Sequence, residues 1–281
     1  MTTQTQLRIG KIRYLNCLPF YFGLAETLKG KEWEQGVSFL ETYPAAINDA
    51  MQRGEIDLAP ISSMEYLQHQ DDYLLLGFGI GARLFSRSVL LLSRKKLETL
   101  DGAVIALSKE SLSSVTLARI LLKGRYDFTN TFETVEQNPE AMLQKYPAAI
   151  VIGDQALFCQ PKDMVYKYDL AELWQQWTGK PFVFALWAVR KAAAEQYPVQ
   201  VAAFRDLLRE NLLKNLSDPE GLLKQALEIT PDDRRFCQLL GYFVNLQYEL
   251  TSDMNEGVAR FFELAHEQGL SPLPQPLRFL E

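Results

Sequence analysis

Histidine is nearly missing from this chain: among 281 residues only His69 and His266 occur. Neither stands at ligand spacing to a cysteine, which argues against structural zinc. Cysteine is scarce as well. Cys17, Cys159 and Cys237 are odd in number, far apart and without a CxxC pair, so neither a disulfide framework nor a redox pair is expected. Positive charge is in deficit, with a net charge of −6 and no run among the 29 basic residues that would follow a phosphate backbone. Nucleic acid is therefore not an expected partner. No apolar run approaches the length that spans a bilayer. Met1-Thr2-Thr3-Gln4-Thr5-Gln6 has neither the charged start nor the apolar core of a secretory signal. The expectation is a cytoplasmic protein without a membrane partner.

What is present is an ordinary globular composition, 47% hydrophobic and 23% charged, in a chain long enough for two lobes. The same plan is written twice. The first half reads strand Arg8–Tyr14, helix Leu18–Leu28, strand Val37–Thr42, helix Ala45–Arg53, strand Ile56–Pro60. The second reads strand Val104–Ser108, helix Val115–Leu122, strand Thr131–Val135, helix Pro139–Lys145, strand Ala148–Ile152. Each is a βαβαβ unit, which calls for a parallel sheet. Two apolar stretches, Ser88–Ser93 and Pro181–Val189, are the expected crossings between lobes. Arg190 to Glu281 reads as helices. One is N-capped at Thr230, with Phe236, Leu239, Leu240, Phe243 and Val244 at helical spacing; a last one runs from near Ser252 to Gly269. The expected fold class is α/β: two-lobed, periplasmic-binding-protein-like (type II), with a ligand cleft between the lobes. Residues 1–88 plus 190–281 make the first lobe with the C-terminal helices. Residues 89–189 make the second, crossover strands included.

Corresponding loops are rich in hydroxyl and amide groups: Tyr14-Leu15-Asn16, Ile61-Ser62-Ser63, Lys109 to Ser114, and Gly153-Asp154-Gln155. Each leads into a helix N-terminus, where free N–H groups favour an anion. Two such sheets face to face make a cleft of neutral donors suited to a small carboxylate. Asn16 falls where the first strand ends, the place where ligands gather in open α/β sheets. Asn is also a common helix cap, and both readings stand at this level.

Several segments together resemble the chorismate dehydratase family of the futalosine route to menaquinone. They are Tyr14-Leu15-Asn16-Cys17-Leu18-Pro19, Gly54 to Tyr66, Arg87-Ser88-Val89-Leu90-Leu91, Ile152 to Leu157, Tyr168 to Trp174 and Trp177 to Ala185. The resemblance covers about residues 8–190 and is loose over the helical tail. It departs at Glu110-Ser111-Leu112-Ser113-Ser114, where small or Thr residues stand at some family positions. The resemblance implies a hydro-lyase that converts chorismate to 3-(1-carboxyvinyloxy)benzoate and water, with no cofactor because aromatisation drives the loss.

On this resemblance Asn16 is the catalytic contact. Ser62 or Ser63 binds a carboxylate, although adjacent serines after a strand also cap helices. Ser88 faces the ligand, and strand alternation turns Arg87 away. Ser113 and Ser114 clamp the other carboxylate from the second lobe beside Gly153. Asp154 is a base or a turn anchor, and repulsion from a dianion favours the anchor. Trp174, Trp177 and Trp187 read as core more than as pocket wall. His69 is expected in solvent and His266 at the edge of a packing face, so neither is a good base. The enolpyruvyl carboxylate of the substrate is then the candidate proton acceptor. Two rivals remain. One is the sister enzyme that makes 1,4-dihydroxy-6-naphthoate, which is expected to carry a His near Val151–Gln155, where this chain has none. The other is a non-catalytic binding protein for a small carboxylate.

Overall fold

A computed structural model describes residues 7–30, 36–160 and 166–281. The chain enters through β1 (Leu7–Ile12), a 3-10 turn at Leu15–Cys17, and the short helices α1 (Leu18–Tyr21) and α2 (Leu24–Leu28). It continues through β2 (Val37–Thr42), α3 (Pro44–Gln52), β3 (Leu58–Ser62), α4 (Ser63–Gln68) and β4 (Tyr73–Ala82). β5 (Val89–Ser93) opens the second lobe. β6 (Val104–Ser108), α5 (Ser113–Ile120), β7 (Thr131–Val135), α6 (Pro139–Lys145), β8 (Ala148–Ile152), α7 (Gly153–Leu157), β9 (Tyr166–Asp169) and α8 (Leu170–Thr178) follow it. β10 (Phe182–Arg190) returns to the first lobe. It leads to α9 (Lys191–Gln196), α10 (Pro198–Ser217), α11 (Pro219–Leu227), α12 (Phe236–Asn245), β11 (Leu246–Glu249) and α13 (Ser252–Glu267).

Two sheets result. The first has the order β11-β4-β10-β3-β1-β2 and the second β7-β6-β8-β5-β9. Within them β1–β2, β1–β3, β6–β7 and β6–β8 are parallel, as the βαβαβ units require. The strands that cross between lobes pair antiparallel, β5 with β8 and β10 with β3 and β4. Central strands β3, β5 and β8 are buried at every residue, because helices cover both faces and apolar side chains are needed on each. The edge strands β2 and β7 have no buried residue.

The structure revises several expected boundaries. β10 lies wholly in the first lobe's sheet, in register with β3 from Ala185 opposite Ser62 to Val189 opposite Leu58. The second lobe therefore ends near residue 181 and not at 189, since a strand belongs to the sheet that satisfies its backbone bonds. The helix expected over Leu18–Leu28 is split by a turn at Phe22–Gly23. Thr230 is not a cap, as α12 begins only at Phe236 after turns at 231–235. β4 and β11 were not anticipated. β4 carries Gly77, Gly79 and Gly81, residues of low strand propensity. Gly79 and Gly81 are there because β10 and the segment leading into α13 come close: a Cβ on Gly79 would meet Ala185 O at 2.8 Å, and one on Gly81 would meet Phe182 O at 2.7 Å and the Met254 side chain, while Gly77 adopts a φ of 84°.

The tail packs largely on the first lobe, and α13 sits against β10. Its Phe261 makes edge contacts with Trp174 and Phe182. Trp174 and Trp187 are fully buried. His69 is half-buried against the edge of Tyr73, and His266 is exposed beside Ser271. No helix among the described residues is long and apolar enough to cross a membrane.

Candidate active site

The strand ends of the two sheets meet around a cavity of about 60 Å³. From the first lobe its wall takes Ile12, Tyr14, Asn16, Ser62 and Phe184; Ser88 enters from the crossing. From the second it takes Ser111, Ser114, Ile152 and Gly153. Among the described residues of this wall there is no carboxylate, Lys, Arg or His. The polar atoms are neutral.

Asn16 occupies the 3-10 turn after β1, closed by the Cys17 N–H donating to Tyr14 O at 2.9 Å. Its side chain caps nothing: α1 begins at Leu18 with Cys17 as its N-cap and no side-chain cap bond. Asn16 Oδ1 is buried with no hydrogen-bond partner among the described residues. An orphaned buried acceptor costs about 1–3 kcal/mol, so its persistence at the cavity wall points to a ligand group that satisfies it.

Ser62 both caps a helix and lines the cavity. Its Oγ accepts the Glu65 N–H at 3.0 Å and the Asn48 Nδ2–H at 3.1 Å, while its own N–H donates to Asn48 Oδ1 at 3.1 Å. With both lone pairs engaged, the hydroxyl proton has only the cavity to point at. Ser88 is set the same way. Buried Tyr242, from α12, donates to Ser88 Oγ at 2.9 Å. Burial raises the Tyr242 phenol, which therefore stays protonated as a donor. Ser88 then offers its own hydrogen inward. Arg87 is exposed, has φ of 61° and stacks over Phe85. Asp169 anchors this crossing by accepting the N–H groups of Ser86 at 2.9 Å and Arg87 at 2.6 Å.

The second lobe contributes Ser114 directly, and Ser111, whose Oγ accepts the Ser114 N–H at 3.2 Å. Gly153 has φ of 65° and lies under the ring of Tyr14. Cys17 also lines the wall, and burial followed by the nearby Asp154 charge pushes its thiol up. It is therefore an inert neutral group.

Three expected ligand residues stand elsewhere. Ser63 Oγ–H donates to Val183 O at 2.7 Å and ties α4 to β10. Ser113 Oγ accepts the Met64 N–H at 3.0 Å, a bond between the lobes. Asp154 Oδ1 accepts the Leu15 N–H at 3.1 Å, a second such bond. Each is committed to the protein because its backbone position at a helix start turns it toward the facing element and not into the cavity. Asn48, Ser111, Phe184 and Tyr242 were missed. A polar residue at a buried helical position, as Asn48 is between Ile47 and Ala50, was the available signal.

Comparison with known proteins identifies the family. A model of the menaquinone biosynthesis family matches residues 7–267. A chorismate dehydratase of Thermus thermophilus is 30% identical over 91% of this chain and 93% of its own. One from Campylobacter jejuni is 27% identical over 63% and 64%. Among solved structures, a protein of Archaeoglobus fulgidus superposes with a TM-score of 0.73 at 16% identity, covering 96% of this chain and 100% of that one. The periplasmic aliphatic sulphonate binding protein of Escherichia coli gives 0.63 at 17% identity, covering 97% and 95%. The last of these likenesses establishes a periplasmic-binding-protein-like fold. Matched by the family model and by a curated relative along nearly its whole length, this chain belongs to the menaquinone biosynthesis family, that of its chorismate dehydratase relatives.

Proposed function

We propose that this protein is a chorismate dehydratase, a carbon–oxygen lyase acting in the cytoplasm in menaquinone biosynthesis. Chorismate loses the C4 hydroxyl and the C3 hydrogen and becomes 3-(1-carboxyvinyloxy)benzoate. The C3–H electron pair becomes the new ring double bond, the C4–O pair leaves with the hydroxyl, and that hydroxyl with the C3 proton makes one water. The observation that carries the reading is the neutral, donor-rich cavity facing the unpartnered Asn16 Oδ1.

Ser62, Ser88 and Ser114 are the proposed carboxylate donors. Hydroxyls in a pocket sheltered from water hold an anion without a counter-ion because nothing competes for their bonds. Asn16 holds the departing C4 hydroxyl, its Oδ1 accepting the hydroxyl's hydrogen in the bound state and its amide N–H donating to the oxygen as negative charge develops there. Among the described residues the wall has no free base, since Tyr14 is engaged by Glu110 and the Cys17 thiol is held neutral by burial. That supports the enolpyruvyl carboxylate of the substrate as the C3 proton acceptor, with the cavity holding it in reach. No cofactor enters the scheme.

The test is an ultraviolet scan of purified protein with chorismate. Loss of the cyclohexadiene absorption with formation of the aryl ether supports the reading. Asn16→Ala is expected to reduce kcat by at least about 100-fold, the scale of losing one charge-stabilising donor, while chorismate still binds. Binding without turnover in the unaltered protein would instead indicate a carboxylate-binding protein.

A further inference from the structure

Besides the bonds that the C-terminal helices make to the second lobe, from Gln238 to Leu157 O and from Gln268 to Ile120 O, three described bonds cross the cleft near the cavity, and two of them end on the same turn. The Leu15 N–H donates to Asp154 Oδ1 at 3.1 Å, and the Tyr14 hydroxyl donates to Glu110. Leu15 immediately precedes Asn16. The turn is internally closed by the bond from the Cys17 N–H to Tyr14 O at 2.9 Å, so it moves as a unit. The Tyr14 ring also rests on Gly153, the residue before Asp154: a Cβ there would lie 2.9 Å from the ring. The third bond, from the Met64 N–H to Ser113 Oγ at 3.0 Å, lies on α4 and does not touch the turn.

Asp154 does not belong to the cavity wall, and the bond it makes spans the two lobes. Resting on the dehydratase reading, we infer that Asp154 is a positioning residue: by accepting the Leu15 N–H across the cleft it couples closure of the lobes to the seating of Asn16. With the lobes apart, the N–H of Leu15 faces water and the turn is held only from the first lobe. With them together, the second lobe fixes the turn at Leu15 and at Tyr14, and the amide between these anchors and α1 has one place to go. What Asp154 must supply is an acceptor oxygen, not a negative charge or a proton.

This separates Asp154→Asn, which keeps an acceptor oxygen, from Asp154→Ala, which removes it. The two variants and the unaltered protein are compared in turnover of chorismate and, ligand-free, in small-angle X-ray scattering. Asp154→Asn is expected to stay within about threefold of the unaltered kcat/KM, the spread of one conservative hydrogen-bond change. Asp154→Ala is expected to lose about 10- to 100-fold, the range for a buried donor left without its acceptor, and to show a larger radius of gyration. Asparagine as inactive as alanine, with chorismate still bound, would overturn the inference and make Asp154 an acid or base at the reacting atoms. Alanine with unaltered turnover and scattering would also overturn it. If Asp154→Ala does not fold by circular dichroism, Asp154→Asn remains decisive, and Tyr14→Phe, which cuts the second anchor on this turn, must enlarge the radius of gyration. Failure of the unaltered protein to consume chorismate would remove the dehydratase reading, while the scattering comparison would still decide the coupling.

Discussion

A methyl group on Gly153 tests the closed cleft from the other side. At φ of 65° an L-residue is strained by about 1–2 kcal/mol in this left-handed region. The new Cβ would also stand 2.9 Å from Tyr14 Cε1 and Cζ and 3.0 Å from Cε2. Carbon atoms settle at about 3.5–4.0 Å, so the ring must retreat by about 0.6–1 Å. That retreat is resisted by the Tyr14–Glu110 bond and transmitted to Asn16, two residues along the same closed turn. Misplacement of a reacting group by about 1 Å can cost about 100-fold in rate. Gly153→Ala is therefore expected to lower kcat/KM for chorismate by about 10- to 100-fold. The strain should lower Tm by about 2–8 °C, taking roughly 2–4 °C per kcal/mol for a chain of this order of size. Steady-state kinetics and a thermal melt read the two effects separately. Unaltered kcat/KM together with a lowered Tm would show that the ring yields freely, and the argument that the Tyr14 turn seats Asn16 would fail.

Other consequences follow from the same contacts. Asn48→Ala removes both bonds to Ser62 and frees its hydroxyl to rotate; a stability loss of about 1–3 kcal/mol in urea unfolding and a raised KM are expected. Ser63→Ala deletes only the bond to Val183 O, so stability should fall by about 1 kcal/mol with KM unaltered; a raised KM would return Ser63 to the binding site. Glu65, in the first turn of α4, is buried, and burial raises its carboxyl above the ordinary 4.5 although Gln52 and Tyr73 donate to it. The folded state then holds this proton more tightly than the unfolded chain. Its contribution to stability is greatest below about pH 4.5 and declines as pH rises to the raised folded value, after which it is level. Urea midpoints for Glu65→Gln should lose that part of the slope, and an unchanged profile would refute it.

The repeated βαβαβ units were legible because period and punctuation survive without tertiary context. In the second lobe β6, β7, α6 and β8 fall on the expected residues, each an apolar or alternating run between turn formers. Asn16, Ser62, Ser88, Ser114 and Gly153 were legible as a group because strand ends are where open α/β sheets leave polar groups free. β4 was not, since Gly79 and Gly81 answer to β10 beside them and to Leu250 and Met254, which are distant in sequence. Nor was β11, whose alternation of buried Leu246 and Tyr248 lasts only four residues at the end of a helix. Ser63 and Ser113 look like Ser62 and Ser114 in sequence, one residue away in each case. Which of each pair meets the cavity is a matter of where a side chain points after a strand gives way to a helix, and a shift of one residue there turns it to another face. By itself the sequence determined the two-lobed plan, the family and the loops that bear the chemistry, because those follow from local pattern. The tertiary structure alone decided which hydroxyls line the cavity and which carboxylates join the lobes, because a hydrogen bond's direction depends on partners that lie far away along the chain.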